Sequence, residues 1–305
     1  MGSCLAKLTT PVKDLPSGAI QNKLKIEVST VALVPYYGLL DAIKACANLG
    51  FTTFELPGDR PHAWPNDIRS FERRQIRSYL EDNQLEAEII SVDGSYLLGP
   101  GLCSEDQNVR EDVFTYIKDL IELGSDLGCS KFIMVPGRPL KTTPEAKGRE
   151  LAVRALGDCA DFAKQYRMTV CIENAPFPTC YLDTPEKMLS MMKDISATNL
   201  AVRLDPCHCN VSRESFAEFC ETFRGKIASV GLHDNKGDAD SHLPIGLGNV
   251  KHAPAIQSLR KAGYDGSLTI EILPFEGWLV EQMEEHLANS KKIVENLLLH
   301  PMASV

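Results

Sequence analysis

Hydrophobic and polar positions along the chain follow two alternating rhythms. Short runs rich in β-branched residues are separated by longer stretches in which apolar residues return every three or four positions. A two-residue period marks a strand and a 3.6-residue period an amphipathic helix. The strand candidates are 25–29, 51–56, 86–92, 131–135, 169–173, 200–205, 227–233 and 268–272. Helical patterns follow them at 39–48, 67–82, 109–127, 144–166, 185–195, 213–223, 253–262 and 277–298. Thr143-Pro144-Glu145 and Thr184-Pro185-Glu186 each offer an N-cap, a proline at the first helical position and an early acid. Gly50, Gly128 and Gly263 stand where left-handed caps would end helices.

Strict alternation of strand and helix implies parallel strands joined by right-handed crossovers. Eight such units in 305 residues fit a closed barrel better than an open sheet, and no glycine-rich dinucleotide turn is found. The expected fold is α/β, a single (β/α)8 TIM barrel over 23–300 preceded by an N-terminal extension, 1–22. No internal repeat or linker suggests a second domain.

Composition acts mainly by exclusion. With 44% hydrophobic and 24% charged residues, the chain has the balance of a globular protein rather than a disordered chain or a coiled coil. No run approaches the roughly 18 apolar residues of a membrane span. Lys and Arg number 32 against 41 Asp and Glu, a formal charge of −9, which counts against a nucleic-acid backbone as the main partner. The ten cysteines are scattered rather than arranged as a disulfide framework. The first residues lack the apolar stretch of a secretory signal, and Ala6 stands where a myristoylation signal wants Ser or Thr. A reducing cytoplasm is the expected compartment, with the thiols as small buried hydrophobes.

Active sites of such barrels lie at the C-terminal ends of the strands. The last four candidate strands end in Glu173 (VCIEN), Asp205 (VRLDPCH), His233 (SVGLHDNKG) and Glu271 (LTIEI). Alternation gives Cys171 and Glu173 one parity, as it does Arg203 and Asp205, Gly231 and His233, and Thr269 and Glu271. The intervening Ile172, Leu204, Leu232, Ile270 and Ile272 then face the helices. Three carboxylates and an imidazole in one mouth would repel each other without a cation. An oxygen-rich shell with one nitrogen suits Mn²⁺, Co²⁺, Mg²⁺ or Zn²⁺. Taken singly, a strand-end acid is explained as well by helix capping or a lysine partner.

This quartet, with the Asp-x-x-His of Asp205 and His208 and the later HLPIGLGNV, resembles the xylose isomerase-like, AP-endonuclease-type barrel superfamily. The resemblance spans roughly residues 25 to 298 and is strongest from Glu173 to Glu271. It implies that Glu173, Asp205, His233 and Glu271 are the shared metal ligands and that His208 faces substrate. The loop reading Asp240-Ser241-His242 ahead of Gly248-Asn249 resembles the second-metal loop of the endonuclease branch. His208, Asp240 and His242 are therefore candidates for a second cation, or alternatively for contacts to substrate hydroxyls. The endonuclease branch also needs histidines after strands three and four, where this sequence has Asp93 and Val135. A valine cannot ligate, which turns the reading from phosphodiester cleavage toward a small carbohydrate substrate.

The resemblance implies an isomerase or epimerase acting next to a carbonyl through an enediolate. Glu173 and Glu271 would exchange the proton, and one divalent metal, Mn²⁺ first, would polarise the carbonyl. A dehydratase or lyase shares that first step. An endonuclease-like phosphodiesterase and a non-catalytic sugar-binding barrel are the alternatives of different class. Glu55, ending strand two, and Trp64, in RPHAWPND, are candidates for substrate contact, with a cap or salt bridge and simple packing as the plain explanations. Arg203 is expected to neutralise the carboxylates from one layer below. Lys236, Arg138 and Lys141 could receive a phosphate, although no glycine-rich cradle accompanies them. The Cys207-x-Cys209 spacing, without a second pair, is a weak zinc signal. A homo-oligomer is compatible with all of this, and no membrane partner is expected.

Overall fold

The computed structural model describes residues 24–92, 101–176, 181–275 and 277–300. Asp93 and the N-terminal extension lie outside the described residues. Eight parallel strands close into a barrel in sequence order. They are β1 Lys25–Ser29, β2 Thr53–Pro57, β3 Glu86–Ser91, β4 Lys131–Met134, β5 Thr169–Glu173, β6 Leu200–Leu204, β7 Ile227–Leu232 and β8 Ser267–Ile270. The ladder closes between β8 and β1, where Lys25 to Val28 stand opposite Ser267 to Ile270. The α-helices around it are α1 Leu39–Asn48, α2 Ser70–Asp82, α3 Gln107–Leu127, α4 Glu145–Gln165, α5 Pro185–Ile195, α6 Pro206–Ser212, α7 Phe216–Thr222, α8 His252–Lys261 and α9 Val280–Leu299. The expected barrel is the observed one.

Local chemistry explains most boundaries. Thr184 caps α5 by accepting from the Lys187 N–H at 3.3 Å, and Pro185 opens the helix. Asp106 caps α3 in the same manner, and Gly128 closes it at φ +96°. The Thr143-Pro144 signal misplaces its cap, because Pro144 itself is the residue before α4 and no side chain caps that end. The pattern at 213–223 is not one helix. Arg213 takes the left-handed conformation, φ +62°, and ends α6, while the Ser215 hydroxyl caps α7. Helix α6 itself was not anticipated, although Asp205-Pro206 is the same cap-plus-proline signal seen at Thr184-Pro185.

Packing divides the interior in two. Ile172, Leu204, Leu232, Ile270 and Ile272 join the large core between sheet and helices, as parity requires. Ile89, Ile133 and Cys171 form a separate small cluster, as expected for side chains turned into the barrel. The eight free cysteines among the described residues are all buried. Among the described residues no helix is long and apolar enough to cross a membrane. The β-ladder shifts register between Phe54 and Glu55 and again between Val202 and Arg203. Irregularities of this kind re-aim side chains, and the two charged residues that follow them meet in the barrel.

Toward the other end of the barrel Glu27 is fully buried on β1. Thr269 donates its hydroxyl to Glu27 Oε2 at 2.6 Å, and Oε1 has no partner. Burial, followed by the nearby Glu88 charge, pushes this carboxyl up to about 8. The folded protein then holds a proton that the unfolded chain releases near pH 4.5. Its stabilising contribution is intact below that value and is lost as pH rises toward 8. Glu27→Gln should therefore melt close to wild type at pH 5 and several degrees above it at pH 8, at roughly 2–4 °C per kcal/mol. Scanning calorimetry at both pH values checks this, and a gap independent of pH would refute it.

Candidate active site

The C-terminal rim is organised on one side chain. Arg203, on β6, is fully buried and reaches three acids from three other strands. Its Nη1 pairs with Glu55 of β2, its Nη2 with Glu271 just after β8, and its Nε lies 2.9 Å from Glu173 Oε1 at the end of β5. Ser91 of β3 donates its hydroxyl to the other Glu55 oxygen at 2.9 Å. The expectation that Arg203 neutralises the acids holds, with Glu55 added to the set.

Asp205 follows β6 and caps α6. Its Oδ1 accepts from the N–H groups of Cys207 and His208 at 2.6 and 3.2 Å. Its Oδ2 is left 3.4 Å from His233 Nε2. Asn174 fixes this corner by donating to the Asp205 carbonyl (3.0 Å) and accepting from the Asp205 N–H (2.7 Å). The Asn174 carbonyl lies 2.6 Å from His208 Nδ1, leaving Nε2 turned toward Asp240 at 3.4 Å. A β-carbon at Gly231 would stand 2.5 Å from Asp205 Oδ2, so only glycine leaves that oxygen open.

Asp240 and His242 come from the loop after β7. Asp234 ties that loop down by accepting from the N–H groups of Asn235, Gly246 and Val250 at 2.9, 2.9 and 3.1 Å. Any β-carbon at Gly248 would collide with the Asp234 carboxylate, 2.2 Å away. His242 stacks on His233 with ring centroids 3.7 Å apart and adopts φ +43°, a left-handed conformation unusual for a side chain of this size. Its Nε2 lies 3.4 Å from Asp240 Oδ1, and its Nδ1 lies 3.1 Å from the Glu271 carbonyl.

The charges are strongly perturbed. Burial pushes the Glu173 carboxyl up to about 7, against the pull of Arg203. Burial also raises Glu271, but Arg203 and His242 outweigh it and hold that carboxyl below its ordinary value. For Asp205 the raising effect of burial is overcome by His233 and His208, and for Asp240 by His208 and His242. Conversely, burial disfavours charge on the histidines, yet Asp240 and Asp205 hold His208 well above its usual range. Asp240 and Glu271 lift His242 to about 9.

Three overlapping groups bring ligand atoms within 4.8 Å of one another: His208, His233, Asp240 and His242; Asp205, Cys207 and His233; and Glu173, Asp205 and His208. Glu173, Asp205 and His233 are thus linked through shared members. Glu271 stands outside these groups and is joined to them by Arg203 and by His242 Nδ1 at 3.8 Å. Glu173 Oε1, Asp205 Oδ2, His208 Nε2, His233 Nε2 and Asp240 Oδ1 are all buried without a hydrogen-bond partner. Such atoms cost several kcal/mol unless something completes them, and their arrangement fits a divalent cation.

A cavity of about 260 Å³ opens above, lined by Glu55, Glu173, His208, Asp240, His242 and Glu271 with Val31, Pro57, Val92, Val135 and Leu273 among its apolar wall. Asp205 and His233 lie beneath it, fully buried. Trp64 is not among the described residues lining this cavity. It stacks on Tyr116 with ring centroids 4.8 Å apart, and the Arg60 guanidinium lies 4.5 Å from its ring centroid. Lys236, Arg138 and Lys141 do not line it either. Sequence reasoning passed over Asn174, Ser91 and Asp234; the adjacency of Asn174 to Glu173 and of Asp234 to His233 was the available signal.

The family model for the xylose isomerase-like TIM barrel matches residues 43–290. An uncharacterized protein of Methanocaldococcus jannaschii is 28% identical over 255 residues, covering 81% of this chain and 83% of that protein. The fructoselysine 3-epimerase of Shigella flexneri is 19% identical over 238 residues, covering 76% and 84%. The crystal structure of a D-tagatose 3-epimerase-like protein aligns with a TM-score of 0.73 at 25% identity, over 90% of this chain and 99% of that one.

Removing the central cation would leave three buried carboxylates facing one another. Arg203→Met should cost about 3–5 kcal/mol of stability, and Arg203→Lys an intermediate amount, since an ammonium lacks the planar fork. Urea denaturation at pH 7 measures both. A loss under about 1 kcal/mol for Arg203→Met, as expected of an exposed pair, would contradict this account.

Proposed function

The chain belongs to the xylose isomerase-like TIM-barrel family, and on that premise we propose that it is a divalent-metal-dependent isomerase or epimerase of a keto-sugar or related polyol ketone. Relatives that are named epimerases, at low identity, support the class of reaction. The observation that carries the reading is the set of buried atoms at the rim that make no hydrogen bond, Glu173 Oε1, Asp205 Oδ2 and His233 Nε2, held together only by charge contacts and standing beside Glu271. Glu173, Asp205, His233 and Glu271 would hold the cation, Mn²⁺ in first place and Co²⁺, Mg²⁺ or Zn²⁺ as alternatives. When bound, it supplies Lewis-acid polarisation of a carbonyl and its neighbouring hydroxyl.

The protein's own groups account for the proton. Glu173 and Glu271 flank one guanidinium, and their environments push their carboxyls apart, Glu173 up to about 7 and Glu271 down. Divergence of this kind assigns acid and base roles. Glu271, ionised, takes the carbon-bound proton, and Glu173 returns one to the other face of the enediolate. His208 Nε2, at the cavity wall, holds a substrate oxygen where charge develops. Asp240 and His242 receive hydroxyls, and Glu55 orients Arg203 as well as lining the cavity.

Two features bear on the substrate. No lysine or arginine is among the described residues lining the cavity, and the sequence at 93–100 and 177–180 contains none. Arg203 is fully committed below. The site therefore suits an unphosphorylated sugar. Val135 lines the cavity where a phosphodiesterase of the related branch would need a ligating histidine. A second cation on His208, Asp240 and His242 is the one further reading with support, because His208 Nε2 and Asp240 Oδ1 are also buried without a hydrogen bond. A dehydratase or lyase begins with the same proton removal and differs in what leaves.

Free and phosphorylated ketoses, incubated with the full chain and Mn²⁺ in deuterium oxide, test the proposal. Deuterium should enter one carbon beside the carbonyl of an unphosphorylated substrate, and chelation should stop it. Glu173→Gln and Glu271→Gln should each lower turnover by about 10²–10⁴-fold with an unchanged circular dichroism spectrum. Turnover surviving in both variants would reject the assignment.

A further inference from the structure

We propose that Cys207 is a positioning residue for Asp205 and His233, an assignment that rests on the metal-dependent reading above. The β6–β7 ladder ends at Leu204 opposite Val230. Beyond it β6 turns into α6 at Pro206, whose ring nitrogen carries no hydrogen, while β7 continues to Leu232 and His233 follows it. The backbone of His233 is thereby left without a strand partner on the β6 side. The Cys207 side chain takes that place.

Its sulfur makes two contacts with one residue. The His233 N–H donates to Cys207 Sγ at 3.3 Å, and the thiol donates back to the His233 carbonyl at 2.9 Å. The second contact requires a protonated thiol, and Cys207 is fully buried. The Cys207 N–H in turn donates to Asp205 Oδ1 at 2.6 Å, which turns Oδ2 toward His233 Nε2. The Cys207 carbonyl accepts from Asn235 Nδ2 at 2.8 Å, anchoring the start of the following loop. The thiol therefore holds the backbone of His233 and, by keeping the first turn of α6 against it, the two amides of Cys207 and His208 that set the rotation of Asp205. The side chain needed is small, and it must donate and accept at once. Serine meets that description, whereas alanine leaves a buried N–H and C=O unpaired.

Co²⁺ titration of the metal-free full chain, followed by visible absorption and calorimetry, tests this. Cys207→Ala should weaken binding about 10–100-fold, the usual effect of losing support behind a ligand, and alter the Co²⁺ spectrum. Cys207→Ser should stay close to wild type in both. Cys159→Ala, which empties an equally buried position in α4, should lower the melting temperature without moving Co²⁺ affinity. Equal affinity and spectrum for Cys207→Ala and wild type would overturn the assignment, as would a loss in Cys207→Ser as large as that in alanine. The serine comparison decides the matter if the alanine variant does not fold. A wild-type chain that binds no Co²⁺ or Mn²⁺ would instead overturn the metal-dependent reading, and this assignment with it.

Discussion

A guanidinium sealed inside a protein must be matched by anions or it will not stay folded. Arg203 satisfies that demand with acids from β2, β5 and the end of β8, so its pairing spans the barrel mouth. Its planar fork offers donors in several directions at once, which suits one charge serving three carboxylates. The arrangement does two things. It pins the strand ends that carry Glu173 and Glu271, and it leaves negative charge uncompensated, since one cation faces three acids with Asp205 and Asp240 close by. The imidazoles of His208 and His242 answer part of that surplus by holding protons more tightly than usual. A divalent cation would answer the rest.

The fold was largely legible because its signals are local and repeated. Each strand is a short apolar run, and the longer helices carry a periodic face, several of them with a glycine or capping residue at one end. Strand parity also placed Arg203 beneath the acids and Ile172 or Leu204 on the helix side, since a period of two leaves no alternative once one face is known. The errors fall where two signals compete. Asp205-Pro206 opens α6, but the cysteines and histidine after it give no apolar period, so the helix went unseen and its neighbour was drawn too long.

The site was legible in its membership more than in its geometry. That Glu173, Asp205, His233 and Glu271 end consecutive strands could be read directly. That Glu55 pairs with Arg203, 148 positions away, could not, because no local pattern encodes a contact across a barrel and the two register shifts that aim these side chains have no sequence signature. Trp64 is harder to read: an aromatic residue in a loop beside a barrel strand satisfies any description of a pocket wall, and its stacking on Tyr116 has no sequence signature. Asn174 and Cys207 were visible as neighbours of Glu173, Asp205 and His208, yet their contacts are to backbone groups, which side-chain chemistry alone does not announce.

The two halves of the site are built differently. Glu173, Asp205 and Glu271 sit on strand ends that Arg203 and Asn174 hold from below. Asp240 and His242 stand on a loop held by the Asp234 carboxylate, by Asn235 and Ser290, and by the close approach that the missing β-carbon of Gly248 allows. His233 joins them, reaching Asp205 Oδ2 on one side and stacking on His242 on the other. A change in the loop would therefore move Asp240 and His242 at the cavity wall while the acids on the strand ends kept their places. Separating rigid chemistry from adjustable recognition is what the strand ends and βα loops of this architecture permit. Under the proposed function it would let the loop set selectivity while the strand ends set reactivity.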